Sequence, residues 1–314
     1  MLSFISRRVI QTFVVLIIVT FIVFLLLYLI PGDPARTMLG IEASDHDVAA
    51  LRSQLGLDRP MMVQFGSWLF HVLQGDLGRS IQFHQPVSHL IATRLPVTIY
   101  IGILALILST ILGVGAGVIS AIRRGTILDQ AITVFANAGV AVPVFWLGIL
   151  GIYLFALQLG WLPVQGYTSP FENLSVSVRQ ILMPVMCLAM VPLATLARQS
   201  RSAMLEVIQQ DYIRTAWSKG LKERRIIIRH ALRNAMIPIV TVLGLSVRYV
   251  VSGAVLIETV FNIPGMGRLI VSGVFNKDFI LVQGCVLIVA LAIAITNLAV
   301  DISYAFIDAR IRYE

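Results

Sequence analysis

Val9 to Ile30 reads VIQTFVVLIIVTFIVFLLLYLI, an unbroken run without a charged side chain that directly follows Arg7 and Arg8. The hydrocarbon core of a bilayer is about 30 Å thick and needs about 20 apolar residues per helix, so this run predicts a transmembrane helix. It is too long for a signal peptide and ends without a small-residue cleavage site. We therefore expect it to remain in the protein as an N-terminal anchor over residues 1–30.

The composition of the whole chain is that of a membrane protein. Of its 314 residues, 58% are hydrophobic and 13% are charged, and the mean hydropathy is +0.88. An ordinary soluble domain has about 25% charged residues. One globule of this length cannot hide so much apolar surface, so we predict an all-α membrane protein in contact with membrane lipid. The net charge of +8 does not indicate nucleic acid, because the basic residues flank apolar runs and there set orientation.

Further apolar runs predict about six transmembrane helices in total. They are Thr98 to Ile122, Asn137 to Leu159, Ile181 to Ala197, Pro238 to Glu258 and Phe279 to Val300, of which Ile181 to Ala197 is the shortest. With the N-terminus inside, most Lys and Arg residues lie in cytoplasmic segments. The positive-inside rule therefore predicts a multi-pass protein with both termini in the cytoplasm.

Two segments between spans are too long to be simple turns. Residues 31–95 are polar, carry turn signals at Pro31-Gly-Asp-Pro and Gly75-Asp-Leu-Gly, and contain amphipathic stretches at Asp47 to Leu55 and Met61 to Leu73. We predict that they form an extracytoplasmic subdomain, followed by a transmembrane core over residues 96–314.

The second long segment, Arg198 to Arg233, predicts two helices on the cytoplasmic side. The first begins near Glu206 and ends at Gly220, where a glycine can adopt the left-handed conformation. Aromatic and apolar residues stand among its basic ones, and interfaces are enriched in aromatics and Arg. This mixture favours docking of a protein partner, with binding of anionic lipid as the alternative. The residues concerned are Asp211, Tyr212, Ile213, Ala216 and Trp217.

The sequence lacks the common catalytic signatures. No GxxxxGK[ST], HExxH or GxSxG occurs, so the chain has no P-loop for ATP and no common protease or esterase site. We predict a non-catalytic subunit without a cofactor. Gly113-Val-Gly-Ala-Gly117 lies inside an apolar run and predicts close helix packing rather than dinucleotide binding.

Histidines and cysteines give only weak signals. His84 and His89 have a spacing that could hold a transition metal, but surface histidines in a polar loop are the favoured interpretation, and we predict no metal site. Cys187 and Cys285 both fall within predicted spans, where a buried thiol behaves as a small apolar group.

Arg248 lies in the middle of the fifth predicted span. An arginine at that depth costs several kcal/mol unless it is paired or faces water, so we expect it to point into the protein. It could line the solute path and attract a carboxylate, pair with Asp301, or snorkel outward beside Glu258.

Prolines fall in two of the predicted spans. Pro143 lies in the third, and Pro184 and Pro192 lie in the fourth. We expect these prolines to break or bend the spans, as gating elements or as static kinks.

Several motifs together resemble one known family. Asp211-Tyr-Ile-Arg-Thr-Ala-Trp-Ser-Lys-Gly220 with Arg229-His-Ala-Leu-Arg-Asn-Ala-Met-Ile-Pro238 resembles the cytoplasmic EAA-type loop of the dipeptide, oligopeptide and nickel permeases of ABC importers. Other segments resemble the B-type permease of that family across essentially the whole chain. They are Leu29-Ile-Pro-Gly-Asp-Pro-Ala35, Leu55-Gly-Leu-Asp-Arg-Pro60, Gly75-Asp-Leu-Gly-Arg-Ser80, Arg94-Leu-Pro96, Gly160-Trp-Leu-Pro-Val164, Glu258-Thr-Val-Phe-Asn-Ile-Pro-Gly-Met-Gly-Arg268 and Asp308-Ala-Arg-Ile-Arg-Tyr313.

The resemblance implies a permease subunit in a bacterial cytoplasmic membrane. It implies four kinds of neighbour: a second homologous permease, two ATPase subunits, an extracytoplasmic solute-binding protein and membrane lipid. It also implies a coupling helix that rests on an ATPase subunit and is built from Asp211, Tyr212, Arg214, Thr215, Ala216, Trp217, Lys219 and Gly220. The implied cargo is a peptide or a similar small solute.

Three positions depart from the family pattern. Trp217 stands in Thr-Ala-Trp-Ser-Lys-Gly where many relatives have Ala-Arg-Ala-Lys-Gly, Arg248 replaces an uncharged residue, and Ala309 replaces a common proline. Arg248 therefore argues against transferring a relative's substrate to this chain. The rival hypothesis is an ion-coupled secondary transporter, but no inverted repeat of broken helices is found to support it.

Overall fold

The fold is all-helical, as predicted. The computed structural model describes residues 2–29, 34–39, 43–54 and 56–307, and within those ranges it contains no β-strand. The helices are α1 (Leu2–Leu29), α2 (Pro34–Leu39), α3 (Asp45–Gln54), α4 (Met61–Leu73), α5 (Val87–Ile122), α6 (Ile127–Ala141), α7 (Val144–Gly151) continued by a π-helix (Ile152–Gln158), α8 (Leu174–Ile208), α9 (Asp211–Ser218), α10 (Glu223–Arg225) continued by a π-helix (Ile226–Leu232), α11 (Arg233–Val260), α12 (Met266–Phe275) and α13 (Phe279–Ile307).

Five of the described helices are long and apolar enough to cross a membrane, and a bent pair makes up to six. The five cover Arg7–Leu26, Val87–Ile122, Leu174–Ile208, Glu223–Val260 and Phe279–Ala299. This agrees with about six predicted spans. The fourth predicted span, Ile181 to Ala197, is much shorter than α8, because hydropathy detects only the most apolar part of a helix that continues into polar residues.

The third predicted span is not one helix. Asn137 to Leu159 is interrupted at Val142 and Pro143, and the helices on either side meet at 103°. Val142 is extended, and Pro143 has no N–H to continue the hydrogen-bond ladder of α6. Pro184 and Pro192, which were also expected to break or bend a span, lie inside the continuous α8.

The chain divides into two compact units, Met1–Val97 with Pro264–Leu298, and Thr98–Ile263 with Ala299–Glu314. In the first unit, α4 contacts α1 through Phe65, whose ring centroid lies 5.2 Å from that of Phe21 and 5.5 Å from that of Phe24. The two amphipathic stretches predicted in residues 31–95 are helices α3 and α4. The predicted turn at Pro31 and the end of the chain after Ile307 lie outside the described residues.

A buried carboxylate organises the Gly75 to Ser80 motif of the first unit. Asp278 accepts hydrogen bonds from Ser80 Oγ at 2.5 Å and from the Gln82 backbone N–H at 3.0 Å, and from Leu281 N–H at the start of α13. The motif is therefore a structural element that fixes the loop before α5. His84 on this loop and His89 in the first turn of α5 are exposed, and no cluster of three metal-ligating side chains occurs among the described residues.

In the second unit α8 lies against α5 at two glycines. A Cβ atom on Gly113 would lie 2.7 Å from the Leu193 carbonyl oxygen, and one on Gly117 would lie 2.4 Å from the Ala197 carbonyl oxygen. Real Cβ atoms do not approach backbone so closely, so only glycine permits this contact. The predicted role of Gly113 and Gly117 in close helix packing is confirmed.

Gly117→Ala is expected to lower stability, because the added methyl group would overlap the α8 backbone and overpacking costs about 1–3 kcal/mol. Thermal unfolding of the purified chain in detergent would show a lower midpoint. Gly115→Ala is the matched control, because no atom lies within 4 Å of a Cβ built at Gly115. Equal midpoints for the two variants would contradict this account of the α5–α8 contact.

Candidate functional site

Helix α9 is a short surface helix, and the chain departs from helical conformation on both sides of it. Gln210 is extended, and its carbonyl accepts from the backbone N–H groups of Ile213 and Arg214. The first helix of this segment was expected to begin near Glu206, but Glu206 belongs to the end of α8. At the other end Gly220 has φ +72°, and its N–H donates to the Trp217 carbonyl at 2.9 Å. The predicted break at Gly220 is confirmed.

One face of α9 is packed into the second unit. Ile213 is 1% exposed and Ala216 is 8% exposed, and both join a cluster with Met204 of α8, Ile226 of the following π-helix and Ala121 of α5. Ala216 was predicted as part of the contact with a partner. Its burial means that it holds α9 in place instead of lying on the surface.

The other face of α9 carries exposed aromatic and charged side chains. Tyr212 is 44% exposed and Trp217 is 47% exposed. Tyr212 is held in position by Asn234, whose Nδ2 donates to its hydroxyl at 2.7 Å. The remaining predicted residues, Asp211, Arg214, Thr215, Lys219 and Gly220, are exposed as well. A helix packed on one side and aromatic on the other has the composition of a protein interface, where Trp, Tyr and Arg carry most binding energy.

The segment after α9 adds a strongly basic surface. Its exposed side chains include Lys222, Arg224, Arg225, Arg229 and Arg233. Basic residues alone would also suit anionic lipid. The exposed Trp217 and Tyr212 distinguish α9 itself from a simple polybasic segment.

Arg248 is exposed on α11 and does not point into the packed interior of the single chain, contrary to expectation. Its side chain makes no hydrogen bond or ion pair with any other residue whose side chain is described. Glu258 does not serve it as an outer partner, because Glu258 is 1% exposed and accepts from Thr98 Oγ1 at 2.5 Å. The side chain of Asp301 lies outside the described part of the chain.

The exposed face of α11 that carries Arg248 is mixed polar and apolar. At helical spacing it presents Thr241, Leu245, Arg248, Ser252, Leu256 and Thr259. The exposed stripe of α5 differs, because it consists of isoleucines four residues apart, at Ile99, Ile103, Ile107 and Ile111. Isoleucine suits lipid, whereas an arginine at this depth requires water or a protein neighbour.

The sequence did not predict an ion pair near α9 in which the carboxylate is buried and the arginine is partly exposed. Asp129 of α6, 4% exposed, is bound by Arg201 of α8 through Nε at 2.7 Å and Nη2 at 2.9 Å. Ser120 Oγ and the Gly125 N–H donate to the same carboxylate. In the sequence, Asp129 stands out as an acidic residue beside an apolar run, but nothing local indicates its partner, because Arg201 lies 72 residues away.

The apolar helices and the two-faced helix between α8 and α11 define a class: a multi-pass membrane protein with a short surface helix that has one buried and one exposed face. The comparisons with known proteins identify that class more closely. The family described as "Binding-protein-dependent transport system inner membrane component" matches residues 113–313, and the N-terminal family of the same transport-system membrane components matches residues 1–102.

Relatives match over the full length of the chain. A protein of Sinorhizobium fredii (strain NBRC 101917 / NGR234) named as a peptide ABC transporter permease is 43% identical over 99% of both chains. A dipeptide transport system permease protein, DppB, of Alkalihalophilus pseudofirmus is 38% identical over 100% of both. Among solved structures, the inward-facing MetNI methionine ABC transporter matches with a TM-score of 0.57 at 15% identity, covering 70% of this chain and 96% of that one.

The chain therefore belongs to the binding-protein-dependent transport system inner membrane components. It is a permease subunit of an ATP-driven ABC importer, and the hypothesis of an ion-coupled secondary transporter is set aside. As a multi-pass permease of this family it is a protein of the inner membrane.

Proposed function

We propose that this chain forms half of a translocation path for peptides or similar small solutes, and that α9 couples the path to an ATPase subunit. The observation that carries the coupling proposal is the division of α9 into a buried face with Ile213 and an exposed face with Trp217 and Tyr212. Peptides are the cargo named for the relatives from Sinorhizobium fredii and Alkalihalophilus pseudofirmus.

We place both termini and α9 on the cytoplasmic side. Asp129 binds Arg201, so the turn between α5 and α6 lies beside the end of α8, from which α9 follows. That turn carries Arg123 and Arg124, and the segment after α9 is also basic. Concentration of positive charge at one end of the helices supports the cytoplasmic assignment.

The assembly that this function needs has several further chains. The permease would pair with a second homologous permease, two ATPase subunits that hydrolyse ATP, and an extracytoplasmic solute-binding protein. Residues 31–95 would form the extracytoplasmic subdomain that contacts the binding protein or the second permease, between the anchor at 1–30 and the core at 96–314. Closure of the ATPase dimer would push on α9, and the buried cluster around Ile213 and Met204 would pass that movement to α8 as a rigid unit.

Purification and reconstitution test this function. The tagged chain, expressed with its native partners and purified in mild detergent, should bring with it a second permease and an ATPase subunit. Proteoliposomes containing the purified complex should take up solute only when ATP and binding protein are supplied. A chain that purifies alone and drives uptake from an ion gradient would contradict the proposal.

Arg248 is proposed to line the path and to attract the carboxylate of the solute. Support comes from its exposure, from its place in the mixed stripe of α11, and from the high cost of leaving a guanidinium against lipid. Contact with the second permease is the alternative for this face.

Arg248→Gln should slow uptake of dipeptides about tenfold or more, because a hydrogen bond to a charged group contributes about 1.5–3 kcal/mol and about 1.4 kcal/mol corresponds to tenfold. Uptake rates in proteoliposomes would be compared for dipeptides and for their C-terminal amides. Arg248→Lys keeps the charge and should retain most of the activity. An equal loss of uptake for dipeptides with a free C-terminal carboxylate and for their amides would show that Arg248 does not bind the carboxylate.

A further inference from the structure

The second unit holds an ion pair that the coupling proposal does not by itself explain. Asp129 collects four donors from three segments: Ser120 Oγ at the end of α5, the Gly125 N–H in the following turn, and the Nε and Nη2 of Arg201 in α8. The bidentate geometry to Arg201 fixes direction as well as distance. Asp129 stands in the first turn of α6, so this carboxylate ties the start of α6 to α5 and α8.

The pair lies directly beside the cluster that holds α9. Arg201 precedes Met204 by about one helical turn, and Met204 is fully buried with Ile213 and Ala216. Ser120 precedes Ala121, which belongs to the same cluster. The residues that hold Asp129 are thus adjacent in sequence and structure to the residues that hold α9.

Elsewhere the contact between α6 and α8 is built mainly from small side chains on α6, which face alanines and Met190 of α8. Ala136 of α6 packs with Ala194 and Ala197 of α8, and a Cβ on Gly139 would lie 3.3 Å from the Ala194 Cβ. Small residues let two helices approach closely, but their van der Waals contacts are not directional. The ion pair supplies a directional attachment that this surface lacks.

Helix α6 also leads to the break in the third span. It ends at Ala141, and the next helix leaves at 103° after Pro143. A movement of α6 along α8 would therefore change the position of the break, in the part of the chain that crosses the membrane.

We propose that Asp129 and Arg201 are positioning residues for coupling: they make the start of α6 move with α8 and α9, so that a push on α9 reaches the broken third span. This inference rests on the proposed function of α9. In this role the ion pair transmits movement between helices, in addition to stabilising the fold.

A double variant separates the two roles. Arg201→Met alone would leave the buried Asp129 carboxylate without its partner and destabilise the fold for that reason, whereas removing both charges together is often close to neutral. In Asp129→Asn with Arg201→Met, the amide oxygen can accept from the Gly125 N–H while the amide nitrogen donates to Ser120 Oγ, and no unpaired charge remains. Arg124→Met, which removes an exposed arginine from the turn between α5 and α6, is the control.

The measurement is the amount of solute transported per ATP hydrolysed by the purified complex in proteoliposomes. We expect the double variant to assemble with its partners and to hydrolyse ATP, with at least a tenfold lower transport per ATP, while Arg124→Met keeps the wild-type ratio. A wild-type ratio in the double variant would overturn the inference, and so would failure of the double variant to assemble, because the pair would then serve the fold.

A separate variant, Trp217→Glu, distinguishes failure of this inference from failure of the proposed function of α9, on which the inference rests. If Trp217→Glu leaves the ATPase attached and transport intact, α9 is not the coupling helix, whatever the ion-pair variants do. If Trp217→Glu releases the ATPase while the double variant keeps the wild-type amount of solute transported per ATP, the proposed role of the ion pair is wrong and the proposed role of α9 stands.

Discussion

Trp217→Glu is expected to reduce transport at least about 30-fold while leaving the chain inserted in the membrane. Trp217 is 47% exposed on the outer face of α9, so the change disturbs no buried contact of the chain itself. Truncating an aromatic anchor at an interface typically costs about 2–4 kcal/mol of binding energy, which corresponds to about 30- to 1,000-fold in affinity. A carboxylate at this position adds the cost of burying a charge against the partner.

The measurement is co-purification of the ATPase subunit with the tagged permease, followed by uptake in the same preparation. We expect the second permease to be retained and the ATPase to be lost. Phe171→Glu is the matched control, because it makes the same kind of change at a fully exposed aromatic residue, 99% exposed, far in sequence from α9. If both variants retain the ATPase equally, Trp217 is not part of the contact.

Gly220→Pro is expected to abolish transport, with a loss of about 100-fold or more. Gly220 has φ +72° and donates its N–H to the Trp217 carbonyl, whereas proline is fixed near φ −65° and has no N–H. The variant therefore cannot form the turn that ends α9 and begins the segment to α11. The position of α9 would be lost although its exposed side chains are unchanged.

Gly220→Asn tests whether backbone conformation is the reason. Asparagine tolerates the left-handed region better than other residues with a Cβ, and no atom lies within 4 Å of a Cβ built at Gly220. Uptake by this variant should stay within about twofold of the wild type. Equal loss in the proline and asparagine variants would mean that the requirement at position 220 is not a positive φ.

Several parts of the fold follow from local sequence. The apolar run from Val9 predicts α1 because its length matches a bilayer, and Gly220 marks the end of α9 because only a few residues adopt positive φ. The amphipathic stretches at Asp47 and Met61 were likewise recognisable as helices. These features depend on residues close together in the chain, so periodicity and turn chemistry are sufficient to find them.

The prolines show that local sequence alone does not predict whether a helix is broken. Pro143 separates two helices at 103°, whereas Pro184 and Pro192 are buried inside the continuous α8. The residue type is the same in all three cases. Neighbouring helices can compensate the missing hydrogen bond of a proline in a transmembrane helix, and a single sequence does not show which helices are neighbours.

The candidate site was likewise predictable only in part. The composition of α9 gave the interface interpretation, but not that Ala216 would be buried while Trp217 is exposed. The pairing of Asp129 with Arg201 joins residues 72 apart, and that of Ser80 with Asp278 joins residues 198 apart. Such contacts depend on the tertiary arrangement of helices, and no spacing rule predicts them.

Site-specific photo-crosslinking in membranes of the native host tests most directly whether the exposed face of α9 contacts an ATPase subunit, as we propose. A photoreactive amino acid at position 217 should crosslink the chain to an ATP-binding subunit, while the same probe at position 171 should not. Crosslinking from position 217 to lipid alone would contradict the claim and would favour the polybasic membrane-surface alternative.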